Sequence, residues 1–333
     1  MTTLPTPLGT DTLPSRWQTV ATVVPLLTAI TAVLFIAFAW PSVRSSVHEV
    51  PIAVAGSVPA VAQVRTALEQ RLPGGFEISE VADTADAERL IRDRQVYGAI
   101  DLSTGTPQVI LASAGSTAVA QTMQSIATSL GRADSAGPPV ALRDLAALPA
   151  EDPRGAGLAA GALPLVMCGL LAAVLLTRFV HGIDRRIAGA LAFAVSGGLV
   201  VAAMLQFWFG SLSGSYPANA GAIGLTIAAT SLTVLGLESV LGIIGIGIGA
   251  VTMMLIGNPL SGAATAPEML PGRTGSLGQL LPPGAGGQLL RSTAFFDGSG
   301  ATRAITVLVA WIMLGVALGL VGALRTRQVT KSA

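Results

Sequence analysis

Residues 20–40 read VATVVPLLTAITAVLFIAFAW, a stretch of 21 residues without a charge. A helix needs about 20 apolar residues to cross a bilayer whose hydrocarbon core is about 30 Å thick. Arg16 precedes the stretch and Pro41 follows it. Ala37-Phe38-Ala39 has the small-x-small form of a signal-peptide cleavage site. Signal cores, however, run only about 7–15 residues. This one is longer and is followed directly by Trp40 and Pro41, so it is read as a retained span over 19–40, after a tail over 1–18.

Five more apolar runs follow: Gly157–Thr177, Ile187–Gly210, Ala218–Leu235, Val240–Ile256 and Ile305–Leu324. They place spans over 157–177, 187–210, 218–235, 239–257 and 303–324. Read together, the runs from Ala218 and Val240 would make a helix far longer than a bilayer at about 1.5 Å per residue. A turn is therefore expected at Glu238, between Gly236 and Ser239. Charged residues make up 11% of the chain and hydrophobic ones 51%, and the mean hydropathy is +0.68. Soluble domains carry roughly 25% charged residues, so lipid is part of the solvent.

Between Pro41 and Gly155 the charges return. Ile52–Ala55, Phe76–Val81, Tyr97–Leu102 and Val109–Ala112 read as strands. Val61, Val64, Leu68 and Leu72 recur at helical spacing, Asp83 is placed to cap a helix carrying Ala87, Leu90 and Ile91, and Ala118–Leu130 reads as a third helix. The order βαβαββα implies a small α/β domain with a mostly parallel sheet. Gly137-Pro138-Pro139 and Pro149–Pro153 read as the exit linker. The fold class is thus an α-helical integral membrane protein of six transmembrane helices, with an α/β domain over 41–156 inserted between the first two.

Six spans put both termini on one side. That side carries Arg16, the loop 178–186 with Arg178, Arg185 and Arg186, and the tail 325–333 with Arg325, Arg327 and Lys331. By the positive-inside rule it is cytoplasmic. The α/β domain, with nine Arg against thirteen carboxylates, is then extracytoplasmic. Long translocated domains have little say in orientation. Lys331 is the only lysine in a chain rich in Ala, Gly and Arg, a bias of GC-rich bacterial genomes, so the membrane is expected to be a bacterial plasma membrane. The segment 258–302 combines many Pro and Gly with apolar pieces too short to span, Leu277–Leu281 and Gln288–Phe296. It is expected to form amphipathic or re-entrant helices at the outer face.

Little here suggests chemistry. No Gly-Lys-Ser/Thr loop exists to hold a nucleotide. Cys168 lies in an apolar run, and His48 and His181 are far apart. No catalytic, cofactor or metal residues, and no nucleic-acid partner, are expected. Gly242, Gly245, Gly247 and Gly249 lie in an Ile-rich run without a preceding strand. Gly245 and Gly249, four apart, are read as helix-packing positions rather than a phosphate loop, as are Gly197 and Gly198. Glu238 is read as an interfacial turn residue, and Phe207-Trp208-Phe209 as an outer aromatic belt. The loop 178–186 serves as a positive anchor and also suits docking. Phe179, Val180 and Ile183 would fill a groove, and Arg178, Asp184, Arg185 and Arg186 would make polar contacts.

The layout of one helix, an α/β ectodomain, five helices and an outer-face segment before the last span resembles the permeases of ABC type-2 exporters, in particular the YhgE/Pip (phage infection protein-like) branch. Tyr97-Gly98-Ala99-Ile100 after Arg92-Asp93-Arg94, Asp152-Pro153-Arg154-Gly155, and Gly257-Asn258-Pro259-Leu260-Ser261-Gly262 carry the resemblance. It covers the chain after Gln18 through short motifs rich in Gly and Pro.

The resemblance implies a homodimeric or heterodimeric permease in the lipid bilayer, driven by a separate nucleotide-binding ATPase subunit that holds ATP and Mg. Residues 178–186 would contact that subunit, and Asn258, Pro259 and Ser261 would belong to an outer gate. A hydrophobic or amphipathic substrate suits spans with almost no charge. The alternative is an ATPase-independent envelope scaffold or receptor acting through its ectodomain. Proton-coupled transport lacks buried acids other than Glu238.

Overall fold

The structure is a computed structural model that describes residues 17–133 and 140–332. Arg16 and the rest of the expected tail 1–18 before Trp17 lie outside the described residues, as do the side chains of Arg327 and Lys331.

Five segments are long and apolar enough to cross a membrane: α1 (Trp17–Val43), α5 (Ala156–Phe179), α6 (Ile183–Ala203) with its π-helical continuation to Trp208, α7 (Tyr216–Leu241), and α11 (Ala301–Ser332) as far as Arg325. By length and composition the chain is a multi-pass helical membrane protein. The centre of the bundle is α7, which packs against α5, α6 and α11. In contrast, the apolar window of α1 has no buried residue.

The expected fifth span is divided. Residues 239–241 finish α7, and the chain breaks at Gly242 in the left-handed region (φ 62°). It returns as the short α8 (Ile243–Ala250) and a π-helix, Val251–Gly257. The turn is therefore at Gly242 and not at Glu238, which stays in the last turn of α7. Only glycine adopts such a backbone without steric cost.

Packing within the bundle rests on missing side chains. A Cβ on Gly236 would lie 2.3 Å from the Gly315 carbonyl, and one on Gly315 would lie 2.4 Å from Leu232 backbone. Thr233 Oγ1 donates to the Trp311 carbonyl (3.1 Å) and Ser239 Oγ to that of Leu318 (3.1 Å), along the same α7–α11 seam. Close backbones and interhelical hydrogen bonds are how helices associate where lipid removes the hydrophobic drive. A Cβ on Gly245 would meet the Leu237 carbonyl at 2.2 Å, and one on Gly249 the Val234 side chain at 2.8 Å. These contacts hold α8 antiparallel to α7.

Between α1 and α5 lies a five-stranded sheet in the order β2-β1-β3-β4-β5. Its strands are β1 (Val50–Ala55), β2 (Phe76–Val81), β3 (Gly98–Asp101), β4 (Gln108–Leu111) and β5 (Ala141–Asp144). All pairings are parallel except the β3–β4 hairpin. The helices α2 (Val58–Arg71), α3 (Thr84–Arg92) and α4 (Thr117–Ala133) connect the strands. Asp83 caps α3 by accepting from the Asp86 N–H (2.9 Å). The fully buried Asp101, at the end of β3, is saturated. It accepts from Ser103 N–H (2.8 Å) and Oγ (2.6 Å), Thr84 Oγ1 (2.5 Å) and Gln108 Nε2 (2.7 Å). Burial pushes its carboxyl up, but the donors together outweigh burial and hold it below the ordinary value.

β5 falls between the two stretches expected to form the exit linker, Gly137-Pro138-Pro139, which lie outside the described residues, and Pro149–Pro153. Its four residues, Ala-Leu-Arg-Asp, are all exposed, so no alternation of buried and exposed positions betrays it. The chain enters α5 through Asp152, whose carboxylate accepts from the Ala156 and Gly157 N–H groups (both 2.8 Å). These are helix-start donors that would otherwise be orphaned.

Candidate functional site

The bundle has two ends of different character. At one end the sheet meets two helices of the segment 258–302, α9 (Thr274–Gly278) and α10 (Pro282–Phe295). At the other lie the loop after α5, Glu238 and the turn at Gly242.

The loop end holds the residues that were candidates for docking. Arg178, Phe179, Asp184 and Arg185 are exposed there. Ile183 instead packs on α11, where a Cβ on Gly319 would meet its Cδ1 at 3.0 Å. Arg186 is committed inward. Its guanidinium donates to Glu238 Oε2 (3.0 Å), the Thr177 carbonyl (2.9 Å) and the Val180 carbonyl (2.8 Å). The ion pair is four-fifths buried on both sides. Of the seven residues considered for docking, Arg178, Phe179, Asp184 and Arg185 face outward, Val180 is half-buried and accepts from Arg186, and Ile183 and Arg186 fix the loop to the bundle.

At the sheet end, Asn258, Pro259 and Ser261 belong to a short ordered turn. Ser261 Oγ donates to the Asn258 carbonyl (2.7 Å), and Gln279 Nε2 donates to the Ser261 carbonyl (2.9 Å). A Cβ on Gly278 would overlap the Leu260 carbonyl at 1.7 Å, so α9 lies directly on this turn. Three ties join the segment to the sheet domain: Ser46 N–H to the Met269 carbonyl (3.0 Å), Ser116 Oγ to the Thr265 carbonyl (3.0 Å), and Tyr97 Oη to Glu268 Oε2 (2.8 Å).

A fourth tie comes from Arg94. It follows α3 with φ 59°, in the left-handed position that normally holds glycine at a helix C-terminus. The Gln95 N–H bonds to the Leu90 carbonyl (2.9 Å) and that of Arg94 to Ile91 (3.0 Å), which is the Schellman pattern. A non-glycine there costs about 1–2 kcal/mol. The side chain uses that position to reach α10. It donates to the Gln288 carbonyl (2.9 Å), to Gln288 Oε1 and to Ser292 Oγ, and its guanidinium carbon lies 5.1 Å from the Phe296 ring centre. Burial lowers the Arg94 pKa and raises that of Tyr97, the latter reinforced by Glu268.

Arg94, Tyr97, Glu268, Gln279, Gln288 and Arg303 line a cavity of about 240 Å³ at this junction. Nothing in the sequence groups them as a site, because nearly two hundred residues separate its halves. One signal was present: Arg291 is the lone charge inside the apolar piece Gln288–Phe296. It is buried and donates to the Ala263 carbonyl (2.7 Å). Among the described residues no cluster of His, Cys, Asp and Glu could hold a metal ion.

No family model, curated protein or solved structure matches this chain.

Proposed function

We propose that the chain is the permease subunit of an ATP-driven exporter of the ABC type-2 kind, acting with a nucleotide-binding ATPase on a separate chain. The observation that carries this reading is the construction of the loop end. A short turn presents Arg178, Phe179, Asp184 and Arg185 outward, while Arg186 and Glu238 fix its base to α7, the most buried of the candidate spans. A push on the turn is thereby delivered to the helix that touches most of the bundle. Such an element suits a partner that does mechanical work.

In this reading the sheet domain and the outer segment lie outside a bacterial plasma membrane and both termini lie in the cytoplasm. Ile243–Gly257 makes a sixth, short crossing beside α7, which the bilayer accommodates by local thinning. The turn at Asn258, Pro259 and Ser261 belongs to the outer gate. A hydrophobic or amphipathic substrate passes between helices of two protomers, for which the exposed faces of α1 and α8 are available.

The test is charge reversal of the outward residues alone. Arg178→Glu with Arg185→Glu is expected to abolish substrate-stimulated ATP hydrolysis by the reconstituted complex while the protein inserts and unfolds as the wild type does. Unchanged hydrolysis in such a protein would sink the docking assignment.

A further inference from the structure

The junction cavity carries more positive charge than the one carboxylate in its lining offsets. Arg94 and Arg303 line it, and the buried Arg291 is close enough to Arg94 that the two repel. Burial and that repulsion together push Arg291 down to about 10. Among the described residues none of the three forms an ion pair. The carboxylate lining the cavity, Glu268, accepts from Tyr97 and offsets part of the Arg94 charge through space. Arg94 and Arg291 donate their hydrogen bonds to neutral acceptors. Arg303 adds a separate anomaly. It sits in the first turn of α11, where the helix dipole disfavours a cation, and it is exposed without a hydrogen bond among the described residues.

An anion in the cavity would relieve both conditions, since buried unpaired cations are costly and guanidinium groups pair best with oxyanions. The cavity is built to admit one. Its floor is buried at Gln279, Ala285 and Phe296, and its rim is exposed at Gln95, Ser276 and Arg303. Gln279 and Gln288 add amide groups to the lining.

The surroundings select the kind of anion. At helical spacing below Arg303, Thr306, Ala310, Met313, Leu314 and Ala317 form one exposed face of α11. That face is apolar after its first residue and belongs to a candidate span. An oxyanion at Arg303 therefore lies directly above a surface suited to acyl chains.

We infer that the cavity between the sheet domain and the outer segment is a binding site for a phosphate group, carried as the head of an amphiphile whose tails lie along α11. Arg94 and Arg303 hold the phosphate, and Glu268 limits its affinity. The site stands on the cavity alone and is independent of any partner ATPase.

The test is thermal unfolding of the full chain in a neutral detergent at fixed ionic strength. The probes are dihexanoyl phosphatidylglycerol, dihexanoylglycerol and inorganic phosphate. Dihexanoyl phosphatidylglycerol is expected to raise the unfolding midpoint where dihexanoylglycerol does not. Arg303→Gln is expected to weaken its apparent affinity about tenfold, the equivalent of about 1.4 kcal/mol. Glu268→Gln is expected to tighten it, a gain that damaged folding cannot mimic. A midpoint raised by the lipid and not by inorganic phosphate identifies the amphiphile as the ligand. An equal, Arg303-dependent rise with inorganic phosphate keeps the phosphate site and assigns it to the soluble ion. The inference is overturned if neither phosphate-bearing probe acts more strongly than dihexanoylglycerol, or if affinity is the same in wild type, Arg303→Gln and Glu268→Gln.

Discussion

Arg186 and Glu238 meet at 3.0 Å where α6 begins and α7 ends, with each side chain largely withdrawn from the surface. Two residues that look separate in sequence, one a loop cation and the other a turn acid, form a single fastening. Removing one partner of such a pair leaves an uncompensated charge and costs about 3–5 kcal/mol when fully buried. Glu238→Ala or Arg186→Ala is therefore expected to lose about 3 kcal/mol in a detergent unfolding titration. Replacing both by methionine should recover much of that loss. Additive losses in the double variant would mean the pair is not coupled.

The α7–α11 seam makes a sharper demand on volume. Gly236 and Gly315 leave no room for a Cβ against the facing backbone. Gly315→Leu must push the helices apart and break the Thr233–Trp311 and Ser239–Leu318 hydrogen bonds. The cost is expected to reach at least the 1–3 kcal/mol of an overpacked core. Gly247→Leu, where nothing lies within 4 Å of the would-be Cβ, serves as the control and should leave the folded fraction unchanged.

Asp101 gives the sheet domain an acid limit. Its carboxyl is held below its ordinary value in the fold, so the ionised form contributes stability at every pH above the unfolded value of about 3.9. That contribution is lost as pH falls through the folded value. Asp101→Asn should cost about 2 kcal/mol at neutral pH, given the strength of hydrogen bonds to a charged acceptor. It should also flatten the stability curve below about pH 4. Hydrogen exchange on β3 and β4 from pH 6 to pH 3 would measure both.

Arg94 tests whether the strained backbone is kept for the side chain. Arg94→Gly removes the left-handed penalty, about 1–2 kcal/mol, together with every tie to α10. The expected result is a sheet domain as stable as before but faster amide exchange over residues 288–292. Exchange there that is no faster than in the wild type would show that the guanidinium does not anchor the junction.

Five of the six expected apolar spans and most sheet elements were readable because each depends on a local signal. Runs such as Val20–Trp40 need only length and hydropathy, and the Asp83 cap needs only its own helix. The turn was misplaced because a lone Glu238 reads as interfacial until its partner, more than fifty residues earlier in the chain, is known. Gly242 carried the better local signal, a backbone that only glycine tolerates cheaply, but it was one glycine among several in an apolar run. β5 was hidden by its exposed, charged edge position. The junction cluster was invisible for a different reason. Arg94, Glu268 and Arg291 are brought together by the docking of one folded unit on another, which periodicity does not encode.

Engagement of an ATPase by the outward residues of the loop end is measured by gentle-detergent purification of the tagged full chain from its native host. The expected result is a co-purifying subunit with a P-loop at a fixed stoichiometry, lost in Arg178→Glu/Arg185→Glu and retained in Arg303→Gln. Purification without any such subunit, with envelope or secretion proteins in its place, would contradict it.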